Sequence, residues 1–195
     1  TDVKIADDGE ILLRGPGVMR GYRNRPDATA EAFDEQGYFR TGDIGEIDEF
    51  GFVKITDRKK DLFKTSGGKY VAPSAIESQF KALCGLASNM VVHANNRKFV
   101  SAIITLDPES CAAWAAANGK PADLESLSKD PEVQAIVQAS VDKLNEGLNH
   151  WEKIQKFVIL DRDLSIESGE LTPSLKVKRK VVEAHNQELL DAFYA

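Results

Sequence analysis

Five consecutive charged residues, Asp57 to Asp61, separate two parts of the 195-residue chain that differ in hydrophobic pattern. Before this run, short apolar segments alternate with Gly-containing turns, a pattern typical of β-strands joined by hairpins. After it, apolar residues recur at helical spacing between strand-like runs. The contrast predicts two differently built parts that meet at the charged run.

The first part, residues 1–57, is predicted to be β-rich. One strand is expected at GEILLRG and short strands along GYFRTGDIGEIDEFGFVKITD, where Glu49 to Gly51 form a hairpin turn. Between them, NRPDATAEAF contains good helix formers after Asp27, which we expect to cap a short helix. The chain opens as if in the middle of a domain, so we expect this part to be the end of a larger one.

The second part, residues 62–195, is predicted to be an α+β domain with a small mixed sheet flanked by helices. Its expected element order is β, α, β, β, α, α, β, α. Pro73, Pro108 and the Asp130-Pro131 pair suit the first turns of helices, and Gly119 suits a helix end. Residues 175–195 have the pattern of one terminal helix.

Composition narrows the function classes. A net charge of −6 with 42% hydrophobic residues is ordinary for a globular protein and argues against a surface for nucleic acid or anionic lipid. Cys84 and Cys111 lack metal-ligand spacing and allow one disulfide at most, so we expect a reduced, cytoplasmic compartment. No apolar run approaches the ~18 residues that a membrane span needs.

The first cluster that could carry chemistry is YFRTGD, in which a Thr-Gly turn is expected to present Asp43 at a loop tip. A carboxylate there can accept hydrogen bonds from two vicinal hydroxyls, such as those of a ribose. Spacing alone favours a structural role, in which Asp43 closes an Asx turn.

The second cluster is the charged run with the Gly-Gly loop that follows it. Arg58 offers a planar fork of donors suited to phosphate or ribose oxygens, and Lys59 and Lys60 add positive charge. Gly67 and Gly68 would let the backbone pass close to a ligand. A solvated charge run followed by an ordinary turn is the structural alternative.

The third cluster, SGELTPSLKVKRK, places Lys176 after a polar loop, at or near the start of the terminal helix. A lysine on a loop can bring a point charge to a carboxylate or phosphate. The alternative is a basic first turn of a surface helix, although cations there oppose the helix dipole. One short basic cluster in an acidic chain is weak support for nucleic-acid binding.

In this order, the three clusters resemble the C-terminal part of an adenylate-forming enzyme. Residues 37–77 together with LTPSLKVKR at 171–179 are similar to the AMP-forming long-chain fatty acid–CoA ligases, and GEILLRGPGVMRGYRNRPDATAEAF also fits. The resemblance implies that ATP and a fatty acid form an acyl-adenylate, which coenzyme A then converts to a thioester. It further implies that residues 62–195 are a mobile lid, joined by a hinge at 58–61 to the end of the large adenylation domain.

The resemblance assigns roles to nucleotide-binding and hinge residues. Asp43 matches the aspartate that binds both ribose hydroxyls, and Arg58 an arginine that contacts the nucleotide. Lys69 falls where some relatives carry a phosphate-contacting arginine. Lys60 matches the hinge position, at which the lid turns between the two steps.

It also assigns the remaining site residues. Ser66, Gly67 and Gly68 match the loop that lines the tunnel for the pantetheine arm of coenzyme A. Lys176 matches the catalytic lysine that reaches the carboxylate and α-phosphate during adenylation. Many relatives have glycine before this lysine, where this chain has Leu175. No metal ligand is assigned, since the magnesium ligand of the family lies in a part that precedes these motifs.

The implied partners are ATP with Mg²⁺, a fatty acid, coenzyme A and the preceding part of the adenylation domain. A helical insertion at about 108–149 favours the long-chain branch over an aryl-CoA ligase, a luciferase-like enzyme or a peptide-synthetase adenylation domain. Without the phosphate loop, the chain alone is expected to be inactive. A non-catalytic α+β binding or regulatory module is the alternative from another class, and fatty-acid substrates suggest peripheral membrane contact.

Overall fold

Backbone contacts divide the computed structural model, which describes all 195 residues, into two units, Thr1–Leu62 and Phe63–Ala195. The division falls one residue after the charged run ends. Within that run, Arg58 is the last residue of a strand, and Lys59–Asp61 form a single 3₁₀ turn. The first residue after this turn, Leu62, has an extended backbone.

The first unit is a four-stranded antiparallel sheet whose strands lie in chain order. Its elements are β1 (Asp2–Ile5), β2 (Glu10–Arg14), α1 (Pro26–Ala32), β3 (Phe39–Ile47) and β4 (Val53–Arg58). The expected strands, short helix and hairpin turn are therefore present, and β1 was not foreseen. The prediction that Asp27 caps α1 is wrong: Pro26 takes the first helical position, so Arg25 is the N-cap and Asp27 lies in the first turn.

Apolar burial in the first unit is slight. Ile11 and Leu12 are its only fully buried apolar side chains. The hairpin between β3 and β4 is closed by Asp48, whose carboxylate accepts the N–H groups of Phe50 and Phe52, each at 2.9 Å. Both phenylalanine rings are exposed, so this hairpin is held by backbone geometry and one side-chain acceptor, not by a core.

The second unit contains a mixed sheet with helices on both faces, which confirms the α+β prediction. A β5–β6 hairpin precedes a sheet ordered β7-β8-β9, in which β7 and β8 are antiparallel and β8 and β9 parallel. The elements are β5 (Phe63–Lys64), β6 (Tyr70–Val71), α2 (Pro73–Leu83), β7 (Ala87–His93), β8 (Val100–Leu106), α3 (Pro108–Asn118), α4 (Leu124–Lys129), α5 (Pro131–Glu146), β9 (Ile154–Ile159), α6 (Arg179–His185) and α7 (Gln187–Ala192).

All seven residues of β8 are buried, because both faces of the sheet are covered. Side chains alternate between faces along a strand, so Ala102 and Ile104 pack into the cluster under α2 to α5, and Ile103 packs into a smaller cluster with α6 and α7. Each large aliphatic side chain buried in this way contributes ~1.5–3 kcal/mol relative to exposure.

Helix boundaries in the second unit follow local chemistry. Asp107 and Asp130 cap α3 and α5 through their carboxylates, with a proline next in each case, and Gly119 ends α3 at φ +66°. Helix α4, capped by Asp123, was not predicted.

The prediction of one helix over residues 175–195 is wrong at both its start and its middle. The first helical residue is Arg179, and the helix breaks at Asn186, whose buried side-chain amide donates to the Val182 carbonyl at 2.8 Å and competes with the backbone.

Both cysteines are buried free thiols. Burial raises the pKa of the Cys111 thiol to about 11. No helix of the chain combines the length and apolar character that crossing a bilayer would require.

Candidate functional site

Asp43 lies inside strand β3 and not at a loop tip, so that part of the prediction is wrong. The strand is distorted there: Gly42 has φ +72°, in the left-handed region, and the pairing registers shift near Ile44. The Thr41 hydroxyl donates to the Ile11 carbonyl at 2.7 Å and accepts the Asp43 N–H at 3.0 Å. These contacts fix the Thr-Gly-Asp backbone within the sheet.

Arg58 faces Asp43 directly across the β3–β4 pairing. Its Nε lies 2.8 Å from Asp43 Oδ1, yet this buried oxygen accepts no hydrogen bond. The Arg58 N–H is therefore poorly aligned with Asp43 Oδ1, and the contact is an ion pair and not a hydrogen bond. The Asp43 side chain is 20% exposed beside this cation, so its carboxylate can still meet the hydroxyls of a ligand.

An open cleft adjoins this pair. It has a volume of about 430 Å³ and is lined by Thr41, Gly42, Arg58, Lys59 and Lys60. Arg58 is 60% exposed, so its guanidinium can meet an anion from solvent. The side chain of Lys60 is exposed and forms no hydrogen bond or ion pair.

Lys59 differs from its two charged neighbours because it is tied to the sheet. Its ammonium lies 2.6 Å from Asp8 Oδ2 and donates to Glu10 Oε2 at 2.8 Å. Hydrogen bonding to Asp8, and then to Glu10, raises the pKa of Lys59, and the same contact lowers the pKa of Asp8. Neither Asp8 nor Glu10 was among the predicted site residues.

The Gly-Gly loop closes the β5–β6 hairpin. The N–H groups of Thr65 and Gly68 donate to the carbonyls of Lys69 and Thr65, each at 2.9 Å, and Gly68 has φ +80°. Ser66 N–H donates to the Arg97 carbonyl at 3.0 Å, which ties the loop to the β7–β8 turn. The loop is compact, and Ser66, Gly67, Gly68 and Lys69 are exposed.

Lys69 has an aromatic neighbour. Its ammonium lies 5.0 Å from the centre of the Trp151 ring, which is 40% exposed. Such a contact holds a flexible lysine near one position without neutralising its charge. Lys69 thus keeps the charge that a phosphate would need.

Lys176 lies in a tight hairpin, not in a helix, because helix α6 begins three residues later. Leu171 and Val177 form a β-bridge. The Thr172 N–H donates to the Lys176 carbonyl and the Thr172 carbonyl accepts the Leu175 N–H, each at 2.8 Å. The Thr172 hydroxyl also accepts the Lys176 N–H at 3.0 Å. Leu175 has φ +58°. The helix-dipole argument therefore does not apply, and the Lys176 side chain is exposed with no hydrogen bond or ion pair.

A buried glutamate lies at the base of this hairpin. Glu170 is 0% exposed and accepts both guanidinium nitrogens of Arg162 at 2.7 and 2.8 Å, with further contacts from Ser168 and His185. Hydrogen bonding from Arg162 holds the pKa of this carboxyl at about 2. The Glu170 carbonyl also accepts the Lys178 N–H at 2.7 Å, so both arms of the hairpin meet at one residue.

The predicted site residues are divided between the two units. The first unit brings Asp43 and Arg58 together, with Lys60 two positions further along the chain. The second unit holds the 66–69 loop and Lys176, and no hydrogen bond or ion pair joins these two. No group of three or more His, Cys, Asp or Glu side chains is arranged to hold a metal.

Relatives of known sequence cover nearly the whole chain. The chain is 44% identical over 194 residues to the long-chain fatty acid–CoA ligase FadD15 of Mycobacterium tuberculosis, a match that covers 98% of the chain and 32% of that protein. It is 36% identical to the long-chain fatty acid–CoA ligase ACSBG2 of Gallus gallus, covering 96% of the chain and 27% of the relative. The chain thus spans about a third of the length of these relatives. No model of a protein family matches it.

Solved structures with the same fold include adenylation domains. The adenylation domain of carboxylic acid reductase from Segniliparus rugosus, in complex with AMP and a co-purified carboxylic acid, aligns with the whole chain at a TM-score of 0.73 and 27% identity, over 31% of that domain. A fatty acyl CoA synthetase of Mycobacterium tuberculosis aligns with 94% of the chain and 33% of its own length, at a TM-score of 0.51 and 27% identity.

Proposed function

We propose that this chain, a homologue of the AMP-forming long-chain fatty acid–CoA ligases over about a third of their length, completes the nucleotide site of such a ligase and supplies its moving lid. The ligase joins a fatty acid to ATP with release of pyrophosphate. The thiol of coenzyme A then attacks the acyl-adenylate, which gives the thioester and AMP. The homology to ligases named for long-chain fatty acids favours this substrate over an aryl acid.

The observation that carries the proposal is the placement of Lys176. Its ammonium has no hydrogen bond or ion pair, and Lys176 directly follows the turn of a hairpin whose base is the buried Glu170 network. A free cation on a rigid support is the device that adenylation requires, because an anionic carboxylate must approach an anionic α-phosphate. A cation between the two oxygens stabilises the developing charge by ~3 kcal/mol in a site without bulk water.

Three residues of this chain are assigned to the nucleotide. Asp43 would accept hydrogen bonds from the two ribose hydroxyls, and Arg58, its exposed neighbour, would contact the nucleotide from the other side. Lys69, positioned over Trp151, would contact a phosphate. Mg²⁺ would accompany ATP and neutralise phosphate charge, held by residues outside this chain.

Thioester formation needs the lysine to leave and the thiol to enter. We assign the hinge to residues 58–61, with Lys60 as its pivot, because the Lys60 side chain is exposed and forms no hydrogen bond or ion pair within a single 3₁₀ turn. The exposed Ser66, Gly67 and Gly68 would line the pantetheine tunnel, where the absence of long side chains leaves room for a narrow arm. We also propose a cytoplasmic location, on the grounds of the two cysteines, and peripheral membrane contact, on the grounds of the fatty-acid substrate.

The test separates the two half-reactions in the intact ligase. ATP–pyrophosphate exchange is measured with carboxylates from acetate to palmitate, for wild type and Lys176→Ala. We expect exchange that requires a long-chain acid and falls by about 100-fold or more in the variant. Thioester formation from preformed acyl-adenylate should remain near the wild-type rate.

Lys180→Ala is the matched control, since this lysine is also exposed but lies within α6. Equal loss of both half-reactions in Lys176→Ala would contradict the assigned role. No exchange with any acid would favour the non-catalytic binding module instead.

A further inference from the structure

We propose that Glu10 is a positioning residue that ties the Thr-Gly-Asp turn and the start of the hinge to one anchor in the sheet. The inference rests on the proposed function, because it concerns the nucleotide turn and the hinge of that ligase. Glu10 itself would touch neither substrate nor reacting atoms.

The two carboxylate oxygens of Glu10 serve two different segments. The side chain is 3% exposed, at the start of β2. Oε1 accepts the Gly42 N–H at 2.9 Å, and Oε2 accepts the Lys59 ammonium at 2.8 Å. Arg40 adds a more distant positive charge, 3.8 Å from Oε2. A buried carboxylate with these partners is a fixed point, since moving Gly42 or Lys59 leaves one of its oxygens without a hydrogen bond.

The contact with Gly42 fixes the nucleotide turn. Gly42 lies directly before Asp43 and has φ +72°, with open space where a Cβ would be. Close packing around a Cβ position therefore does not fix this residue, and its N–H contact with Glu10 adds to the contacts of Thr41. The hydrogen bond from its N–H to Glu10 orients the backbone that leads into Asp43, and hence the direction in which the Asp43 carboxylate points.

The contact with Lys59 fixes where the hinge begins. Lys59 is held by Glu10 and by Asp8, whereas Lys60 has no partner. The chain therefore stays attached to the sheet up to Lys59, and free rotation starts one residue later. Because one carboxylate holds both segments, the geometry of the nucleotide turn and the position of the pivot are coupled.

Chemical labelling of lysine tests the tether without any assay of activity. The 195-residue chain is treated with acetic anhydride at low conversion, and acetylation of Lys59 and Lys60 is quantified by tandem mass spectrometry. In the wild type we expect Lys59 to react about tenfold more slowly than Lys60, since a hydrogen-bonded ammonium is a poor nucleophile. Glu10→Gln should raise the rate at Lys59 several-fold and leave Lys60 unchanged.

Kinetics of the intact ligase test the coupling. Glu10→Ala should raise the KM for ATP by about tenfold, because the Gly42 N–H loses a charged acceptor. Glu10→Gln retains an oxygen for that N–H, so it should bring the KM back to within about threefold of wild type. Asp8→Asn is the matched control, because it releases Lys59 from one partner and leaves the Gly42 contact intact. Acetylation of Lys59 should therefore change, whereas the KM for ATP should not.

Equal labelling of Lys59 and Lys60 in the wild-type chain would overturn the inference, whatever the ligase does. An unchanged KM for ATP in a folded Glu10→Ala ligase would overturn the positioning of Asp43. If Glu10→Ala does not fold, Lys59→Met removes the Glu10–Lys59 contact from the lysine side. An unaltered ratio of the rates of adenylation and thioester formation in that variant would count against the inference. A wild-type ligase without exchange activity would refute the proposed function and leave the labelling result standing.

Discussion

Two buried glutamates, one in each unit, support the turns that carry the proposed site residues. Glu10 binds one backbone N–H and one lysine. Glu170 binds a guanidinium through two hydrogen bonds, a serine hydroxyl and a histidine. Both carboxylates are almost inaccessible to solvent, yet their partners differ in kind and in distance along the chain.

The difference lies in what each glutamate connects. The side-chain partners of Glu170 are at most 15 residues away, and the carboxylate stiffens one hairpin in which the Lys176 side chain has no hydrogen bond or ion pair. The partners of Glu10 lie 32 and 49 residues away, and one of them, Lys59, belongs to the charged run near the end of the first unit. The first arrangement makes a rigid support, whereas the second joins two functional segments.

The largest expected effect on stability comes from Glu170→Gln. Removing this buried charge takes the ionic partner from Arg162, which is 45% exposed, so it should cost ~2 kcal/mol in the free energy of unfolding. Urea unfolding followed by tryptophan fluorescence reports on this unit, because both Trp114 and Trp151 belong to it. Glu125→Gln, which removes an exposed helical ion pair, should cost no more than ~0.5 kcal/mol.

The same residue predicts an acid-sensitive stability. The pKa of Glu170 is lowered from 4.5 to about 2 on folding, so its contribution is complete above pH 4.5 and is lost as pH falls through about 2. The contribution should be ~2 kcal/mol, less than the full shift implies, because Arg162 is 45% exposed. Glu170→Gln should flatten the stability profile in this window, and an unchanged profile would contradict the assignment.

Lys60→Pro tests whether the pivot follows directly after the Glu10 tether. Proline fixes φ at residue 60 and restricts Lys59 before it, so one lid orientation should be trapped. One half-reaction should then fall by about 100-fold while the other changes little. Lys60→Ala keeps the backbone free and should stay within about threefold of wild type. Wild-type rates for both half-reactions in Lys60→Pro would show that the chain turns elsewhere.

Much of the fold could be predicted because its signals are local. Pro73, Gly119 and the Asp130-Pro131 pair act through their own φ angles, missing N–H groups or side-chain oxygens, and each marks the boundary that was expected. The terminal helix was overextended because its pattern continues to Leu175, where the Thr172 hydroxyl and backbone close a hairpin instead. Periodicity does not register such a competing hydrogen bond.

The roles assigned to the site residues stay predictions, and the residues that support them could not be predicted from local patterns. Asp43, Arg58 and Lys176 were identified from residue type and motif. Glu10 was missed because its role exists only through contacts 32 and 49 residues away, which no local pattern encodes. The one available signal was an acidic residue at the start of an otherwise apolar strand.

Asp43→Ala distinguishes a ligand-binding carboxylate from a structural one such as Glu10. The KM for ATP should rise by about tenfold, whereas the KM for the fatty acid should stay nearly unchanged. Stability should change by less than ~1 kcal/mol, because the Asp43–Arg58 ion pair is largely exposed on the arginine side. Glu46→Ala, on the same strand and paired with Lys54, is the control for loss of a strand ion pair. A raised KM for the fatty acid alone would refute ribose binding.

The smallest expected effect concerns Leu175, a residue of the Lys176 hairpin whose left-handed backbone conformation is unfavourable for a leucine. Leu175 has φ +58° and is 68% exposed, so it bears a backbone cost with little burial in return. Leu175→Gly should stabilise the chain by ~0.5–1 kcal/mol in urea unfolding, since glycine adopts this conformation freely. Leu175→Ala removes the side chain without relieving the backbone and should give no gain. A loss of stability in Leu175→Gly would mean that the exposed leucine, and not the turn geometry, holds the hairpin that presents Lys176.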